Sequence, residues 1–385
     1  MPSYCNSGRH VIIVLSYYTP YVSGLTNVAR DIAESLVTRG WQITIVTTQH
    51  QPDLPLEEII NGVHVVRTPV LFRIGKGAIS PSFISTIRRE SISANLVNIH
   101  APMLEAGVVS KLIKSPIVLT YQCDVSLPTT LFGRIQNGAL DFSTRVAARN
   151  SNVVSVTSND YADHSRVRDA LSFNREVIVP PCHLREGGNP VFRDGPGLHV
   201  GFLGRIVEEK GIEYLVEGFS ALPCKNARLL IAGDFSAVAG GSVIRKVREQ
   251  IGKDTRIKLL GFLPDKVIID FYRSLDVFAL PSVNSFEAFG IVQVEAMMLG
   301  IPVIASDLPG VRQPVLLTGM GQLVQPRSAI AITDALKRLM ISHSDFVQKA
   351  TFAREIYASN LTLDKFEKLF SKVIAEGRTR KYNGV

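Results

Sequence analysis

Two carboxylates lie close together in the C-terminal half of this chain. Glu287 and Glu295 have seven residues between them. Carboxylate oxygens accept hydrogen bonds from vicinal hydroxyls, so one glutamate could bind a sugar and the other a ribose. Gly290 allows close backbone approach, and the N–H groups of Gly290 and Ile291 would open a helix whose positive dipole end binds phosphate. The spacing suits a diphosphate held between two hydroxyl-bearing groups, although two solvated glutamates on an amphipathic helix have the same pattern.

The elements that must position these groups are a loop, a helix and a buried strand within residues 284–306. Ser285 can cap the helix, whose apolar residues include helix-spaced pairs. Gly300 ends the helix, and Pro302 prevents its resumption. Residues 303–305, Val-Ile-Ala, then form a short strand that is buried on both faces.

A second group of chemically useful residues follows a predicted strand at residues 198–203. Gly204 and Gly211 frame Arg205 and Lys210 at the turn that leads into the next helix. Arginine offers a planar fork for phosphate oxygens, and lysine offers a point charge. Two surface bases at a strand–helix turn are the alternative, but the flanking glycines favour phosphate binding.

The pattern Glu-x-Phe-Gly, a second Glu and then Gly-x-Pro-Val-Ile-Ala-Ser resembles the signature of the retaining glycosyltransferases of family 4. That resemblance covers most of the chain. It implies an α/β chain with the GT-B fold, in which two Rossmann-like domains face each other across a cleft. It also implies that Arg205 and Lys210 bind a diphosphate, that the nucleobase lies near Gly261 and Phe262, and that the loop at Gly24 lies between the donor phosphates and the acceptor.

The resemblance implies a mechanism as well. Arg205, Lys210 and the helix start at Gly290 would stabilise the charge that grows on the leaving diphosphate, without a divalent metal. Glu287 would bind sugar hydroxyls rather than act as a nucleophile, and Glu295 would bind the ribose. The predicted donor-binding residues are Gly24, Gly204, Arg205, Lys210, Gly261, Phe262, Glu287, Ala288, Phe289, Gly290, Ile291 and Glu295, and the predicted catalytic residues are Glu287, His100, Arg205 and Lys210.

The N-terminal half opens with a βαβ pattern. A strand is predicted at residues 10–15, a helix from the capping residue Thr26 to about Thr38, and a second strand at residues 41–48. The loop that carries Gly24 precedes this helix at the carboxyl end of the sheet, where α/β proteins bind ligands. The chain has no Gly-x-Gly-x-x-Gly at this place and no P-loop sequence, so neither class of nucleotide-binding protein is indicated.

One residue, His100, takes its assignment from the family pattern, and two positions depart from that pattern. His100 ends a predicted strand, and a lone histidine there is more often structural, but the resemblance implies that it lies near the transferred sugar. Gln122 stands where many relatives have a histidine, and an amide cannot titrate. Pro181 is followed by Cys182 and His183 where relatives read Pro-Asn-Gly.

The length of 385 residues predicts two domains of similar size. Residues 1–184 form the predicted acceptor-binding domain, and residues 198–364 the nucleotide-sugar-binding domain. Residues 185–197 are rich in Gly, Pro and charge and read as a linker. The resemblance implies that a last helix, at about 365–385, packs back on the first domain. Residues 72–83 read as a mobile loop.

Composition limits the cellular setting and the partners. The net charge is +8 with a pI of about 9.3, which suits an anionic partner such as a nucleotide sugar or an anionic membrane surface. The four cysteines show no paired spacing, residues 1–10 lack a signal-peptide core, and no apolar run reaches membrane-spanning length. A cytoplasmic protein is expected, with at most a peripheral contact at the inner face of a membrane, for which Arg378, Arg380 and Lys381 form a loose basic tail. No aromatic-interleaved basic motif supports nucleic-acid binding.

The sequence therefore predicts a retaining glycosyltransferase that needs no cofactor. Its donor would be a nucleotide diphospho-sugar, with UDP- and GDP-sugars favoured, and its acceptor a lipid-linked group, a glycan or a small molecule. A GT-B phosphorylase or epimerase is one alternative, although no cofactor lysine or inorganic-phosphate pocket can be recognised for a phosphorylase. A non-catalytic protein that binds nucleotide sugars is the other.

Overall fold

A computed structural model describes residues 9–74, 77–127, 130–235, 241–341 and 346–382. The chain divides into two compact units. Unit 1 comprises Met1–Pro181 and Asn360–Val385, and unit 2 comprises Cys182–Ser359. The basic side chains predicted as a tail at Arg378, Arg380 and Lys381 lie outside the described part of the chain, as do residues 1–8.

Unit 1 is built on a sheet that has eight strands in the described residues. Its strand order is β10-β9-β8-β7-β1-β2-β4-β3, and neighbouring strands are parallel except for β3, which is antiparallel to β4. The central strands are apolar and buried on both faces, as expected of a sheet covered by helices. The strands are β1 (His10–Val14), β2 (Gln42–Gln49), β3 (Glu57–Ile60), β4 (Val63–Pro69), β7 (Leu96–Ala101), β8 (Ile117–Tyr121), β9 (Val153–Val156) and β10 (Arg175–Val177).

The segment predicted as a mobile loop at residues 72–83 contains regular structure instead. Strands β5 (Phe72–Ile74) and β6 (Gly77–Ile79) form a short antiparallel hairpin, and a helix begins at Phe83. The hairpin escapes a pattern search because each strand has only three residues, which is too short for a visible alternation. Residues 75 and 76 of this segment lie outside the described residues.

The helices of unit 1 pack against this sheet. The first begins at Gly24, and its cap is Ser23, whose side chain accepts a hydrogen bond from the Thr26 N–H at 3.2 Å. The prediction that Thr26 caps this helix is therefore wrong by three residues, because Ser23 already satisfies the helix start. The helices are α1 (Gly24–Thr38), α2 (Phe83–Ser91), α3 (Ala106–Leu112), α4 (Leu131–Asn150), α5 (Asn159–His164), α6 (Arg168–Leu171) and α14 (Ser359–Tyr382).

Polar contacts join α14 to the segment between α1 and β2. The Arg39 guanidinium binds Asp364 at 2.6 Å and Glu367 at 2.7 Å, and the Trp41 indole N–H donates to Glu367 at 3.0 Å. The hydrogen bond from Arg39 is the main reason why the pKa of Glu367 is lowered. Apolar residues of α14, including Phe366, are fully buried. Residues from Asn360 onward therefore complete unit 1.

Unit 2 contains a parallel sheet with six strands in the described residues, ordered β13-β12-β11-β14-β15-β16. The strands are β11 (His199–Leu203), β12 (Arg228–Ala232), β13 (Ile257–Gly261), β14 (Val277–Leu280), β15 (Val303–Ser306) and β16 (Gly321–Val324). A 3₁₀ turn at Glu208–Lys210 follows β11. The helices are α7 (Ile212–Ser220), α8 (Ile244–Ile251), α9 (Asp265–Arg273), α10 (Ile291–Met298), α11 (Gln313–Thr318), α12 (Ala329–Ile341) and α13 (Phe346–Tyr357).

The segment predicted as a linker, residues 185–197, belongs to unit 2. Its backbone N–H groups at Asn189 and Phe192 donate to side chains at the end of α9, at 2.7 and 3.0 Å. Arg193 forms an ion pair of 3.0 Å with Asp276 at the start of β14. The polar composition that indicates a linker here serves hydrogen bonds and ion pairs to the neighbouring elements.

Candidate functional site

The strand order of unit 2 reverses between β11 and β14. From β11 the chain proceeds outward to β12 and β13, and it then returns to β14 on the other side. In open parallel sheets, ligands bind at the carboxyl ends of the two strands that flank such a reversal. The loop after β11 carries Arg205 and Lys210, and the loop after β14 carries Glu287 and Gly290. The structure therefore brings the two predicted groups to one edge of the sheet.

Close backbone packing holds these two loops together. Gly211 ends the 3₁₀ turn with φ +64, and a Cβ there would overlap the carbonyl oxygen of Pro281. The Val283 N–H also donates to the Glu209 carbonyl at 3.0 Å. Only glycine combines this left-handed conformation with so close an approach. The loops after β11 and β14 are thus fixed relative to each other by main-chain contacts.

The side chains of Lys210 and Glu287 meet directly. The Lys210 ammonium donates to Oε2 of Glu287, and the Ser282 hydroxyl donates to the same oxygen at 3.3 Å. Both charged side chains are mostly buried. An ammonium and a carboxylate thus share one small volume at the sheet edge. A ligand that carries both anionic oxygens and hydroxyls could contact each of them.

Arg205 has a neighbour that the sequence did not indicate. Its guanidinium lies 3.7 Å from the carboxylate of Glu209, four residues later, and its side chain is partly exposed. The backbone of Gly204, the preceding residue, packs closely against the loop after β12. A Cβ at Gly233 in that loop would overlap the Gly204 carbonyl oxygen. The arginine therefore stands on a tightly packed backbone while its charged end remains accessible.

Gly290 is the N-cap residue of α10. It has φ +80, and a Cβ there would overlap the side chain of Leu280. Ala288 and Phe289 are buried, and the Phe289 ring packs edge-on against Tyr357. The prediction that Ser285 caps this helix is wrong, because the helix begins five residues later than Ser285 would require. Ile291 is the first helical residue, as the pattern of apolar residues suggests.

Glu295 is buried in an ion pair rather than solvated. Only 6% of its side chain is exposed, and its Oε2 accepts from Arg185 Nε at 3.1 Å and from the Tyr272 hydroxyl at 3.2 Å. Burial raises the pKa of Glu295, while Arg185 and then the other neighbours oppose that rise. Arg185 also binds Asp265 at 2.9 Å, at the start of α9. No sequence pattern indicates a role for Arg185, because its segment reads as a linker.

The predicted base-binding residues lie at the outer part of the same sheet edge. Gly261 ends β13 with φ +71, and its carbonyl accepts from the Gly233 N–H at 2.8 Å. The Phe262 side chain that follows is 64% exposed. An exposed aromatic ring at a strand end offers a flat surface on which a planar base can stack.

Two predicted site residues, Gly24 and His100, lie in unit 1, while the others lie in unit 2. Gly24 is the first residue of α1, and a Cβ there would have no neighbour within 4 Å. In unit 1, too, the strand order reverses, between β1 and β7. Gly24 follows β1, and His100 lies near the end of β7. Both residues are therefore at the edge where this sheet would bind a ligand.

His100 has both ring nitrogens bonded to other side chains. Its Nε2 lies 2.8 Å from Asn98 Oδ1, and its Nδ1 lies 2.7 Å from the Gln122 amide nitrogen. The amide of Asn98 donates to Val118 and Thr120 instead, which assigns the imidazole proton to Nε2. Burial lowers the pKa of His100 to about 3, so the ring is neutral. The sequence did not indicate that His100 would be buried behind Gln122.

No three His, Cys, Asp or Glu side chains among the described residues come together in a way that could hold a metal ion. Among the helices that the structure describes, none has both the length and the apolar character needed to cross a bilayer.

Two Rossmann-like units, each with a parallel sheet whose strand order reverses, are the fold of the GT-B class. Solved structures agree with this assignment of the fold. Sucrose-phosphate synthase from Thermosynechococcus elongatus aligns with a TM-score of 0.75 at 19% identity, covering 96% of this chain and all of that one. The Anabaena protein HepE in complex with UDP-glucose aligns with a TM-score of 0.71 at 17% identity, covering 94% of this chain and 99% of that one.

The chain belongs to the glycosyl transferases group 1 family, of the family 4 type, and it is a glycosyltransferase. The family model for glycosyl transferases group 1 matches residues 192–351, and a glycosyl transferase 4-like domain matches residues 23–182. An uncharacterized glycosyltransferase of Methanocaldococcus jannaschii is 31% identical, over 96% of this chain and 97% of that protein. A phosphatidyl-myo-inositol mannosyltransferase of Mycobacterium leprae is 26% identical, over 85% and 86%. The predicted family and fold class are confirmed.

Proposed function

We propose that this glycosyltransferase moves a hexosyl unit from a nucleotide diphospho-sugar to its acceptor with retention of the anomeric configuration. The observation that carries the proposal is the direct contact between Lys210 and Glu287, beside Arg205 and the start of α10, at the strand-order reversal of unit 2. Cations for the diphosphate and a carboxylate for the sugar are adjacent there. A non-catalytic binding protein would not require this pairing, and no residue cluster within the described part of the chain favours a phosphorylase or an epimerase.

The charges define the role of each side chain. As the bond between the anomeric carbon and the diphosphate oxygen breaks, negative charge grows on the diphosphate, and Arg205, Lys210 and the N-terminal end of α10 stabilise it. The acceptor oxygen bonds to the anomeric carbon on the same face, and its proton passes to the leaving phosphate. Glu287 binds sugar hydroxyls, and its contact with Lys210 positions the ammonium before the donor arrives. These groups supply the stabilisation without a metal ion.

The nucleoside half of the donor would bind at the outer strands. Glu295 binds the ribose hydroxyls, and Arg185 opposes the rise that burial causes in the pKa of that carboxyl group, which favours its ionised, hydrogen-bond-accepting form. Phe262, after Gly261, stacks on the base. Either UDP or GDP fits this arrangement. The Anabaena protein HepE, which shares the fold, was crystallised with UDP-glucose, which supports a nucleotide sugar as the donor class.

The acceptor would bind to unit 1. We infer that His100 positions Gln122 through the bond to its Nδ1 rather than exchanging a proton, because the ring is neutral and both nitrogens are bonded. Gly24 has room for the approach of a phosphate to the start of α1. Relatives with phosphoinositol and inositol phosphate acceptors support a lipid-linked or small polyol acceptor, and a glycan remains an alternative.

The first experiment measures ligand-induced thermal stabilisation with UDP, GDP, ADP and their sugar conjugates, without added metal. A ligand of the native state stabilises it by about 2.7 kcal/mol at a hundredfold excess over its dissociation constant. Stabilisation by one nucleotide family defines the donor base. If the folded protein responds to none of them, the proposed donor site is wrong.

A variant series then tests the site. Glu287→Gln should abolish transfer and keep nucleotide binding, whereas Lys210→Gln should weaken nucleotide binding as well. The matched control is Asp194→Asn, which alters an ion-paired carboxylate that binds Lys258 at 2.6 Å at the amino-terminal edge of the same sheet. Product analysis with the wild type distinguishes transfer from phosphorolysis, epimerisation and simple binding. Normal turnover by Glu287→Gln contradicts its assigned role.

A further inference from the structure

An exposed apolar stripe follows one face of α4 in unit 1. Four large side chains in the first twelve residues of this helix are between 58% and 77% exposed. Their spacing of one, three and seven residues places them on a single side of the helix, since neighbours at three, four, seven and eleven residues share a face. The stripe comprises Leu131, Phe132, Ile135 and Phe142.

The stripe is exposed because the first half of α4 has little to pack against. In the second half, the Ser143 hydroxyl accepts from the Gly107 N–H of α3 at 2.8 Å, and Asn150 donates to Ser110 at 3.2 Å. The two helices therefore run in the same direction, and the twenty residues of α4 extend about 30 Å against about 10 Å for α3. Of the first twelve residues of α4, only Gly133 is buried.

The charged residues of α4 beside this stripe are mostly basic. The helix carries the basic residues Arg134, Arg145 and Arg149 and a single acid, Asp141. Asp141 is neutralised by two hydrogen bonds of 2.9 Å from Arg166. Asp169 of α6 pairs with Arg145 at 3.1 Å and with Arg149 at 3.7 Å, so Arg134 is the base of α4 that has no ion pair among the described residues. The apolar side chains thus lie beside one unpaired arginine and two arginines that share a single acid.

We propose that this outer face of α4, the apolar stripe with its flanking arginines, binds the surface of a membrane that contains anionic lipids. Such a surface accepts an apolar face to a depth of about 5–10 Å and attracts basic residues at the headgroups. A protein partner would need an acidic groove to match the arginines, whereas an anionic bilayer offers both complements without a specific shape. The net charge of +8 acts in the same direction. The proposal rests on this helix and does not depend on the transfer reaction.

The test is co-sedimentation of the full chain with vesicles of phosphatidylcholine alone and with vesicles that also contain phosphatidylglycerol. Binding should require the anionic lipid and should weaken at high salt, because a Debye length of about 3 Å at 1 M screens the arginines. Ile135→Gln and Phe142→Gln should each lower the partition coefficient about tenfold, since each removes one inserted apolar side chain. Arg134→Gln should lower it several-fold on anionic vesicles.

Ile330→Gln is the matched control, because Ile330 is a similarly exposed isoleucine on helix α12 of unit 2. This variant should bind like the wild type. Equal binding by the α4 variants and the wild type would overturn the proposal, as would a wild type that binds neither vesicle. A dimer at high protein concentration that Ile135→Gln abolishes would also overturn it, because the stripe would then be a contact between two copies. Unchanged melting of each variant shows that it is folded.

Discussion

Replacing Arg185 by Gln should expose the energetic cost of the buried Glu295 carboxylate. The two side chains meet at 3.1 Å, with 18% and 6% of their surfaces exposed. Removing one partner of a buried pair leaves an uncompensated charge and costs about 3–5 kcal/mol. Because Tyr272 still donates to Glu295 at 3.2 Å, we expect the lower end of that range when the carboxyl group is ionised.

The cost should depend on pH in a direction that follows from the pKa. Burial raises the pKa of Glu295 above its ordinary value of 4.5, and Arg185 is the main opposing influence. Without Arg185 the pKa rises further. A carboxyl group with a raised pKa in the folded state stabilises the fold at low pH, and this stability is lost as pH increases through the folded-state pKa. The free energy of unfolding of Arg185→Gln should therefore fall relative to the wild type above pH 4.5, by up to about 1.4 kcal/mol per pH unit.

Urea unfolding at several pH values from 5 to 8 measures this difference. Arg193→Gln is the matched control, since it removes an arginine of the same segment that pairs with Asp276 at the opposite edge of the sheet. Its cost should be about 1 kcal/mol or less, because the pair is partly exposed. Arg185→Gln combined with Glu295→Gln should lose the pH dependence. Parallel pH profiles for Arg185→Gln and the wild type would refute the reasoning.

Three further changes have defined outcomes. Gly290→Ala should lower the unfolding free energy by about 1–3 kcal/mol in thermal or urea unfolding, because the new methyl group overlaps Leu280 and the residue has φ +80. His100→Phe should reduce kcat without adding or removing a pH-dependent step between pH 5 and 8, because the histidine is neutral throughout; a lost titration in the pH–rate profile would contradict this. Glu367→Gln should destabilise unit 1 by about 1–2 kcal/mol at pH 7 and by less at acidic pH. Arg39 is the main cause of the lowered pKa of Glu367, and the stability that this carboxylate contributes is lost as pH falls through that pKa. A constant difference in unfolding free energy from pH 7 to pH 3 would contradict this expectation.

The sequence predicts those parts of the fold that depend on local pattern. Short apolar runs such as residues 198–203 are strands within a residue or two, because strands buried on both faces tolerate few polar residues. Glycine-framed turns such as Gly204–Gly211 are also predictable, since close packing requires glycine there. The contact between Lys210 and Glu287 joins residues far apart in the chain, and it follows from the order of strands in the sheet, which places β11 beside β14.

The remaining features depend on long-range contacts that no local pattern encodes. Arg185 lies in a segment with the composition of a linker, and only the structure shows that it forms an ion pair with Glu295. Ser285 has the right residue type for a cap, but α10 begins at Ile291 with Gly290 in the cap position, where φ is +80 and Leu280 packs closely. His100 has the right position for catalysis, but its ring is bonded to Asn98, two residues earlier on β7, and to Gln122, which follows the adjacent strand β8.

The attachment of α14 to Arg39 and Trp41 has a consequence for synthesis on the ribosome. Unit 1 is discontinuous, so its last helix is translated only after all of unit 2. Domains usually form in the order in which they emerge. Here the second unit can complete its fold first, while the first retains an uncovered apolar surface where Phe366 will pack. We expect a released chain that ends before residue 360 to bind chaperones and to be cut by proteases within unit 1, and the released chain that includes α14 to show neither effect.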